Sequence, residues 1–217
     1  MKNSAIGSGL ICAATLLFTA ATPAMAGNLV VNGGFEETGL RDGSWKHFGN
    51  GEVSGWTPTE GSRIEIRNRV VGTAYEGKHF AEVDSHYYDK QADEIGFFQD
   101  IVTEIGKKYT LSFVYGPREQ SNVNGDNLLS VTFGNLYEEF DAGNSVDGWQ
   151  RFTQTITATD TTTRLKFLSL GKRDTLGANV DDISVEAAAV PEPASLLGLL
   201  AVGAVAAGGA LKKKQAA

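Results

Sequence analysis

The chain has 217 residues, and its 19 basic residues against 26 acidic ones give a formal net charge of −7. Four of the lysines and one glutamate lie in two terminal apolar segments, so the part between them holds 15 basic and 25 acidic residues. Such an acidic domain is a poor match for nucleic acid or anionic lipid. It suits neutral glycans or cations, although a general role in solubility explains the charge equally well.

The N-terminus has the pattern of a removable signal peptide. A lysine precedes an apolar run over 10–21, and the small residues Ala24 and Ala26 form a site for signal peptidase. We therefore predict a signal peptide over 1–26, with an uncleaved membrane helix as the alternative. Cleavage would remove Cys12, the single cysteine, so disulfides cannot hold the exported domain together.

The central part, 27–187, is dominated by short runs in which apolar and polar residues alternate. Turn residues separate these runs, and loops are expected at 38–54 and 117–127. The pattern predicts an all-β fold, a two-sheet antiparallel jelly-roll β-sandwich. Trp56 and Trp149 adjoin predicted strand starts, and we interpret both as core residues. The predicted strands include 64–66, 80–83, 95–102, 109–115, 129–133, 152–157, 165–167 and 183–185.

The C-terminus combines three elements in a fixed order. A linker with the motif Pro191-Glu192-Pro193 covers 188–193, and a predicted helix with a basic tail covers 194–217. The apolar part of that helix would extend roughly 27 Å, which is enough to cross a bilayer once. The lysines behind it would stay cytoplasmic. A plain single-pass anchor is the alternative interpretation.

These C-terminal elements resemble the PEP-CTERM sorting signal. The resemblance implies export, transient membrane insertion as an inner-membrane intermediate, and recognition by an exosortase-type membrane protease. Cleavage near Pro191, Glu192 and Pro193 would then place the protein at the cell surface or outside the cell. The resemblance also implies a producing cell that secretes exopolysaccharide.

A second resemblance covers nearly the whole central part. The ordered motifs are similar to galactose-binding-like jelly rolls, including carbohydrate-binding modules found beside xylanases and glucanases. The resemblance implies a structural calcium where the first and last strands meet, with Glu36 and Asp182 as carboxylate ligands. The motifs lie at 28–36, 54–56, 77–84, 109–113, 149–152 and 179–185.

Glycan binding requires aromatic faces for the C–H surfaces of sugars and planar polar groups for their hydroxyls. Trp45 lies in a polar run, and Tyr87 and Tyr88 follow a strand in what we expect to be a loop. Arg118 and Gln120 follow another strand and could bind hydroxyls. These five residues are the predicted ligand-binding set.

Nothing in the sequence favours catalysis. The three histidines lack the spacing of a zinc site, and no Gly-x-Ser-x-Gly nucleophile elbow is present. We therefore predict a non-catalytic carbohydrate-binding protein of the cell surface or extracellular matrix, whose partner is exopolysaccharide or another glycan. The alternative is a structural matrix or biofilm protein that acts through protein contacts without specific sugar binding.

Overall fold

Two antiparallel sheets pack face to face in the computed structural model, which describes residues 27–85, 94–119, 125–144 and 147–188. The larger sheet has the strand order β1-β3-β4-β11-β6-β9, and the smaller sheet has the order β2-β5-β10-β7-β8. A short 3-10 turn, Glu36–Thr38, precedes them. The strands are β1 Ser44–Phe48, β2 Thr57–Pro58, β3 Ile64–Asn68, β4 His79–Glu82, β5 Gly96–Val102, β6 Lys108–Gly116, β7 Leu128–Phe133, β8 Leu136–Asp141, β9 Gln150–Thr157, β10 Thr162–Ser169 and β11 Asn179–Ala187.

This architecture confirms the predicted jelly-roll sandwich and corrects one expected loop. The segment 38–54 contains strand β1, which pairs antiparallel with β3 from Ser44 opposite Asn68 to Phe48 opposite Ile64. The sequence hides this strand because only Phe48 is buried, at 5% exposure. An edge strand has few apolar positions to reveal it.

The core is rich in aromatic side chains contributed by both sheets. Trp56 is 2% exposed, as predicted for a core residue. Its ring centroid lies 5.6 Å from that of Phe35 and 5.3 Å from that of Phe97, and the second contact is edge-to-face. All described members of the core lie between Val30 and Ala187. Residues 27–188 therefore contain the elements that the domain needs to fold.

The first described residues are hydrogen-bonded to the last strand without forming a strand themselves. Asn32 and Phe35 have φ angles of 55° and 59°, so the predicted first strand is interrupted by turns. The Gly33 carbonyl nevertheless accepts a hydrogen bond of 3.1 Å from the Ile183 N–H. A Cβ atom at Gly33 would lie 2.0 Å from the Ile183 carbonyl oxygen, so only glycine permits this approach.

The predicted signal peptide (1–26) and sorting segment (from residue 189) lie outside the described residues. Within the described ranges, none of the helical structure is long and apolar enough to cross a membrane.

Candidate functional site

The outer face of the larger sheet carries charged side chains that are almost fully buried. Alternation along β3 directs Ile64 and Ile66 into the core, and Glu65 and Arg67 to the opposite face. Glu65 is nevertheless 3% exposed, Arg67 is 2% exposed, and Glu82 of the adjacent strand β4 is 0% exposed. Buried charges have to be paired, because their desolvation is costly.

The pairing forms a continuous series of ionic contacts, which we call the charged track. His47 Nε2 lies 2.9 Å from Glu65 Oε2, and Glu65 Oε1 lies 2.6 Å from Arg67 Nη2. The same Arg67 nitrogen contacts Glu82 Oε2, and Arg118 Nε lies 3.4 Å from that oxygen. The track thus comprises His47, Glu65, Arg67, Glu82 and Arg118.

The two carboxylates of the track have different environments. Burial raises the pKa of Glu82 to about 8, although the positive charge of Arg67 opposes this shift. Burial also acts on Glu65, but the hydrogen bond from His47 and the charge of Arg67 outweigh it, so the pKa of Glu65 is lowered. Arg67 Nε and Nη1 are buried and have no hydrogen-bond partner in the structure.

Trp45 and Arg118, both predicted ligand-binding residues, lie at opposite ends of the charged track. Trp45 belongs to strand β1 and not to a loop, and it is 51% exposed. Its ring is edge-on to His47, with 5.0 Å between the ring centroids. The other three predicted ligand-binding residues, Tyr87, Tyr88 and Gln120, lie outside the described residues.

Trp149 was missed by the sequence analysis, which placed it in the core. It is half-buried and borders a pocket of about 160 Å³ on the same face. Its Nε1 donates a 3.0 Å hydrogen bond to the Thr73 carbonyl, and its ring packs edge-on against Phe80 at 5.8 Å. The described residues that line the pocket are Gly72, Thr73, Gly116, Pro117, Glu119, Gly148, Trp149 and Asn179.

The floor of this pocket has an unused hydrogen-bond acceptor. Asn179 is 2% exposed, and its Nδ2 donates to the Pro117 carbonyl at 3.0 Å. Its Oδ1 is buried and has no partner. Because buried polar atoms are usually satisfied, a hydroxyl or N–H donor in the pocket would complete the site.

The two predicted calcium ligands already have protein partners. Glu36 Oε1 accepts backbone hydrogen bonds from Lys78 (2.6 Å) and His79 (2.8 Å), whereas Asp182 Oδ2 pairs with Arg151 at 2.5 Å. Asp181, which precedes Asp182 at the start of the bulge in β11, is 0% exposed. Among the described residues, no three His, Cys, Asp or Glu residues form a metal-binding group. The calcium site therefore stays a prediction.

Two acidic side chains lie beside Gly34. A Cβ atom at position 34 would lie 3.7 Å from Asp181 Oδ1 and 3.9 Å from Glu36 Cγ, so both side chains lie close to Gly34. The two Asp181 oxygens accept N–H groups of Tyr75, Glu76 and Asp182, at 2.9, 3.1 and 2.7 Å. Burial nevertheless raises the pKa of Asp181 to about 7.

Comparison with known proteins bears on the C-terminus and on the fold. Residues 189–214 match the PEP-CTERM protein-sorting motif. The fold is similar to that of a Stig cyclase from Fischerella sp. TAU, with a TM-score of 0.55 and 16% identity over 77% of this chain and 100% of that chain. No curated protein matches the sequence.

Two carbohydrate-binding modules are more distant structural neighbours. A family 16 module has a TM-score of 0.46 and 16% identity over 73% of this chain and 99% of that one. TmCBM61, solved in complex with beta-1,4-galactotriose, has a TM-score of 0.45 and 12% identity over 75% of this chain and 100% of that one. Neither likeness is strong enough to carry an argument about function. The chain is an exported protein in which a jelly-roll β-sandwich is followed by a PEP-CTERM sorting motif.

Proposed function

We propose that the protein binds a glycan, without catalysis, on the outer face of the larger sheet. The observation that carries this proposal is the placement of Trp45 and Trp149 on one face, with Trp45 beside His47 at one end of the charged track and Trp149 beside Phe80 and Gly116. Because neighbouring strands are about 4.8 Å apart and Trp149 packs on Phe80, two strands from Trp45, the two indole rings are roughly 15 Å apart. This length suits an oligosaccharide lying across the strands.

Each part of the face supplies a different element of sugar recognition. The exposed ring of Trp45 and the half-buried ring of Trp149 can stack on the C–H surfaces of sugar rings. The side chains of His47 and Arg118 are 14% and 15% exposed, so their polar edges can reach hydroxyls. The more deeply buried members of the track hold these two side chains in place.

The burial of Glu65 and Glu82 favours binding of a glycan over its hydrolysis. Glu65 and Glu82 are cross-strand neighbours whose pKa values differ in the way an acid and a base would require. However, Glu82 is 0% exposed, and Arg67 contacts both carboxylates. A glycosidic bond could not reach them without rearrangement of this face.

Replacing either tryptophan by alanine is expected to weaken glycan binding about fivefold, because an aromatic contact contributes on the order of 1 kcal/mol. The segment 27–188 should first be screened on a glycan array, and Trp45→Ala and Trp149→Ala then compared by titration on the best glycan. Tyr137→Ala is the matched control, since Tyr137 is 56% exposed on β8 of the smaller sheet.

An array without any binding, or full binding by both tryptophan variants, would contradict this proposal. A blank array would favour the alternative of a structural matrix protein that acts through protein contacts.

The sorting motif places an exosortase-type system in the maturation of this protein. We propose that cleavage near Pro191-Glu192-Pro193 follows a membrane-inserted intermediate and leaves the sandwich at the cell surface or in the surrounding matrix. Mass spectrometry of the protein recovered from the cell surface would check this, since an intact C-terminus would be inconsistent with cleavage.

We further propose a structural calcium beside Glu36, where the first described segment meets the last strand. Asp181 fits the second carboxylate position better than Asp182, because Arg151 engages Asp182 whereas Asp181 is buried near Glu36. Calcium takes carboxylate and carbonyl oxygens, and its charge would favour the ionised form of Asp181. The ion would connect the first segment to the last strand in a domain without disulfides.

Calcium at about 100 times its dissociation constant is expected to raise the melting temperature by about 5–10 °C, because selective binding to the folded state adds about 2.7 kcal/mol. Addition of EDTA should reverse the shift. Glu36→Gln and Asp181→Asn should abolish it, whereas Asp182→Asn should retain it. Identical melting curves with calcium and with EDTA would refute the site.

A further inference from the structure

Strand β9 forms an open edge of the larger sheet. It runs over Gln150–Thr157, and only two of its residues, Phe152 and Ile156, are not exposed. It pairs with β6 on one side, from Lys108 opposite Thr157 to Tyr115 opposite Gln150. On its other side the described part of the chain provides no strand.

The hydrogen bonds around β6 show which β9 residues present their backbone outward. Ala158 N donates to Lys107 O at 2.9 Å, so the even-numbered residues of β9 point their backbone groups toward β6. The odd-numbered residues therefore point toward the open edge. These residues are Arg151, Thr153, Thr155 and Thr157, and each offers one N–H donor and one C=O acceptor.

We propose that β9 pairs antiparallel with β9 of a second copy of this chain, with Gln154 opposite Gln154 on the twofold axis. In this register Thr153 faces the partner's Thr155, and Phe152 faces the partner's Ile156. The four outward residues of each copy then exchange a complete ladder of backbone hydrogen bonds. Opposed threonines and an aromatic residue opposite a β-branched one are favourable cross-strand pairs.

Charge favours a second copy at this edge. Residues 152–157 are uncharged, and the one charge on β9, Arg151, is neutralised by Asp182. In the proposed register the two Arg151 residues lie at opposite ends of the interface. Open edges normally carry charges, prolines or bulges that prevent pairing, and β9 has a regular register without a bulge.

The other edges of the two sheets are less suited to pairing. Strand β8 carries Glu138, Glu139 and Asp141 in a strand of 6 residues, so two copies would bring like charges together. Strand β2 has 2 residues, which is too short for a stable ladder. Strand β1 has Lys46 in its centre.

Pairing at β9 would create one continuous sheet from two copies. The axis of an antiparallel pair is perpendicular to the sheet, so the outer faces of both copies lie on the same side. Pairing at β9 does not depend on what that face binds.

Sedimentation velocity on the segment 27–188, run over a range of concentrations, tests the pairing. We expect a monomer–dimer equilibrium that Thr155→Pro weakens about tenfold or more, because proline removes an outward N–H in each copy. The inward hydrogen bonds to β6 remain, so the variant should still fold, and a melting curve verifies this. Glu139→Pro on β8 is the matched control and should dimerise normally.

The register has its own test. Gln154→Cys would place two Cα atoms about 4.5 Å apart in a non-hydrogen-bonded pair, within the range of a disulfide. Oxidation should therefore produce a covalent dimer, whereas Thr153→Cys should cross-link much more slowly because its counterpart lies farther along the strand. The segment has no other cysteine, since Cys12 lies before it. Any of three results would overturn the proposal. These are a wild type that stays monomeric at high concentration, a dimer that survives Thr155→Pro, and equal cross-linking of both cysteine variants.

Discussion

Replacing Arg67 by methionine is expected to lower the melting temperature of the domain by about 10 °C. The substitution retains an unbranched apolar side chain but removes the cation that contacts Glu65 and Glu82, which are 3% and 0% exposed. Breaking a buried ion pair from one side costs about 3–5 kcal/mol, because the remaining charge is desolvated without compensation. In a domain of this size each kcal/mol corresponds to about 2–4 °C. Thermal unfolding followed by circular dichroism measures the shift.

Arg69→Met is the matched control for this experiment. Arg69 lies two residues after Arg67, and its side chain is 63% exposed. It pairs with Asp42, whose side chain is 69% exposed. Exposed ion pairs contribute about 0–1 kcal/mol, so its melting temperature should change by no more than about 2 °C. Adding Glu65→Gln and Glu82→Gln to Arg67→Met should restore part of the loss. Equal effects of Arg67→Met and Arg69→Met would show that the track does not stabilise the fold.

The free energy of unfolding is expected to fall as the pH rises from 5 to 8. Burial raises the pKa of Asp84 to about 6, that of Asp181 to about 7 and that of Glu82 to about 8. Below about pH 4 these groups are protonated in both states. Above it the unfolded chain releases protons that the folded chain still holds, so stability declines until the pH exceeds the folded pKa values.

Carboxylates with lowered pKa values act in the opposite direction at lower pH. Hydrogen bonds lower the pKa of Asp100 and that of Glu36, against the effect of burial, so their stabilisation is lost as the pH falls below about 4. The two trends together place maximum stability near pH 5. We expect the melting temperature in EDTA to be about 10 °C lower at pH 8 than at pH 5, which corresponds to several kcal/mol.

Asp84→Asn tests the cause of this decline. Asp84 is 0% exposed, its Oδ2 accepts the Thr175 N–H at 3.1 Å, and its Oδ1 has no partner. The neutral amide of asparagine can therefore replace the protonated carboxyl group. The variant should be more stable than the wild type at pH 8 and should show a smaller decline. Asp100→Asn, which removes an exposed partner of Arg164, should leave the decline unchanged. A melting temperature that is constant or rises between pH 5 and 8 would contradict the assignment.

The sequence predicted the sandwich because its central strands bury one face and expose the other. Strand β6 shows this clearly, with Tyr109, Leu111 and Phe113 buried and the polar residues between them directed outward. The edge strands were harder to recognise. Strands β1 and β8 have only one buried residue between them, so the apolar alternation that identifies a strand is absent.

The candidate site was only partly predictable for a related reason. Trp45 and Arg118 were predicted as ligand-binding loop residues from their neighbours in the sequence, and the fold places Trp45 on strand β1 and both residues on one face. Glu65 and Arg67 alternate with isoleucines, a pattern that predicts ordinary solvent-exposed positions. Their partners come from other parts of the chain, since His47 of β1 contacts Glu65 and Glu82 of β4 contacts Arg67. Trp149 has the local sequence of a core residue, and only its packing against Gly116 reveals the pocket.

The position of β11 determines how the sandwich would respond to a pulling force. The sorting motif follows β11 directly, so a tether at the C-terminus would pull along this strand. Strand β11 lies between β4 and β6, so it has hydrogen bonds on both sides. A pull along the strand would load these bonds together in shear. They would not open one at a time, as the bonds of an edge strand can. The connection of Gly33 to Ile183 adds a further bond that must break. A protein retained at a surface in flowing liquid would thus carry its load through a central strand of its larger sheet.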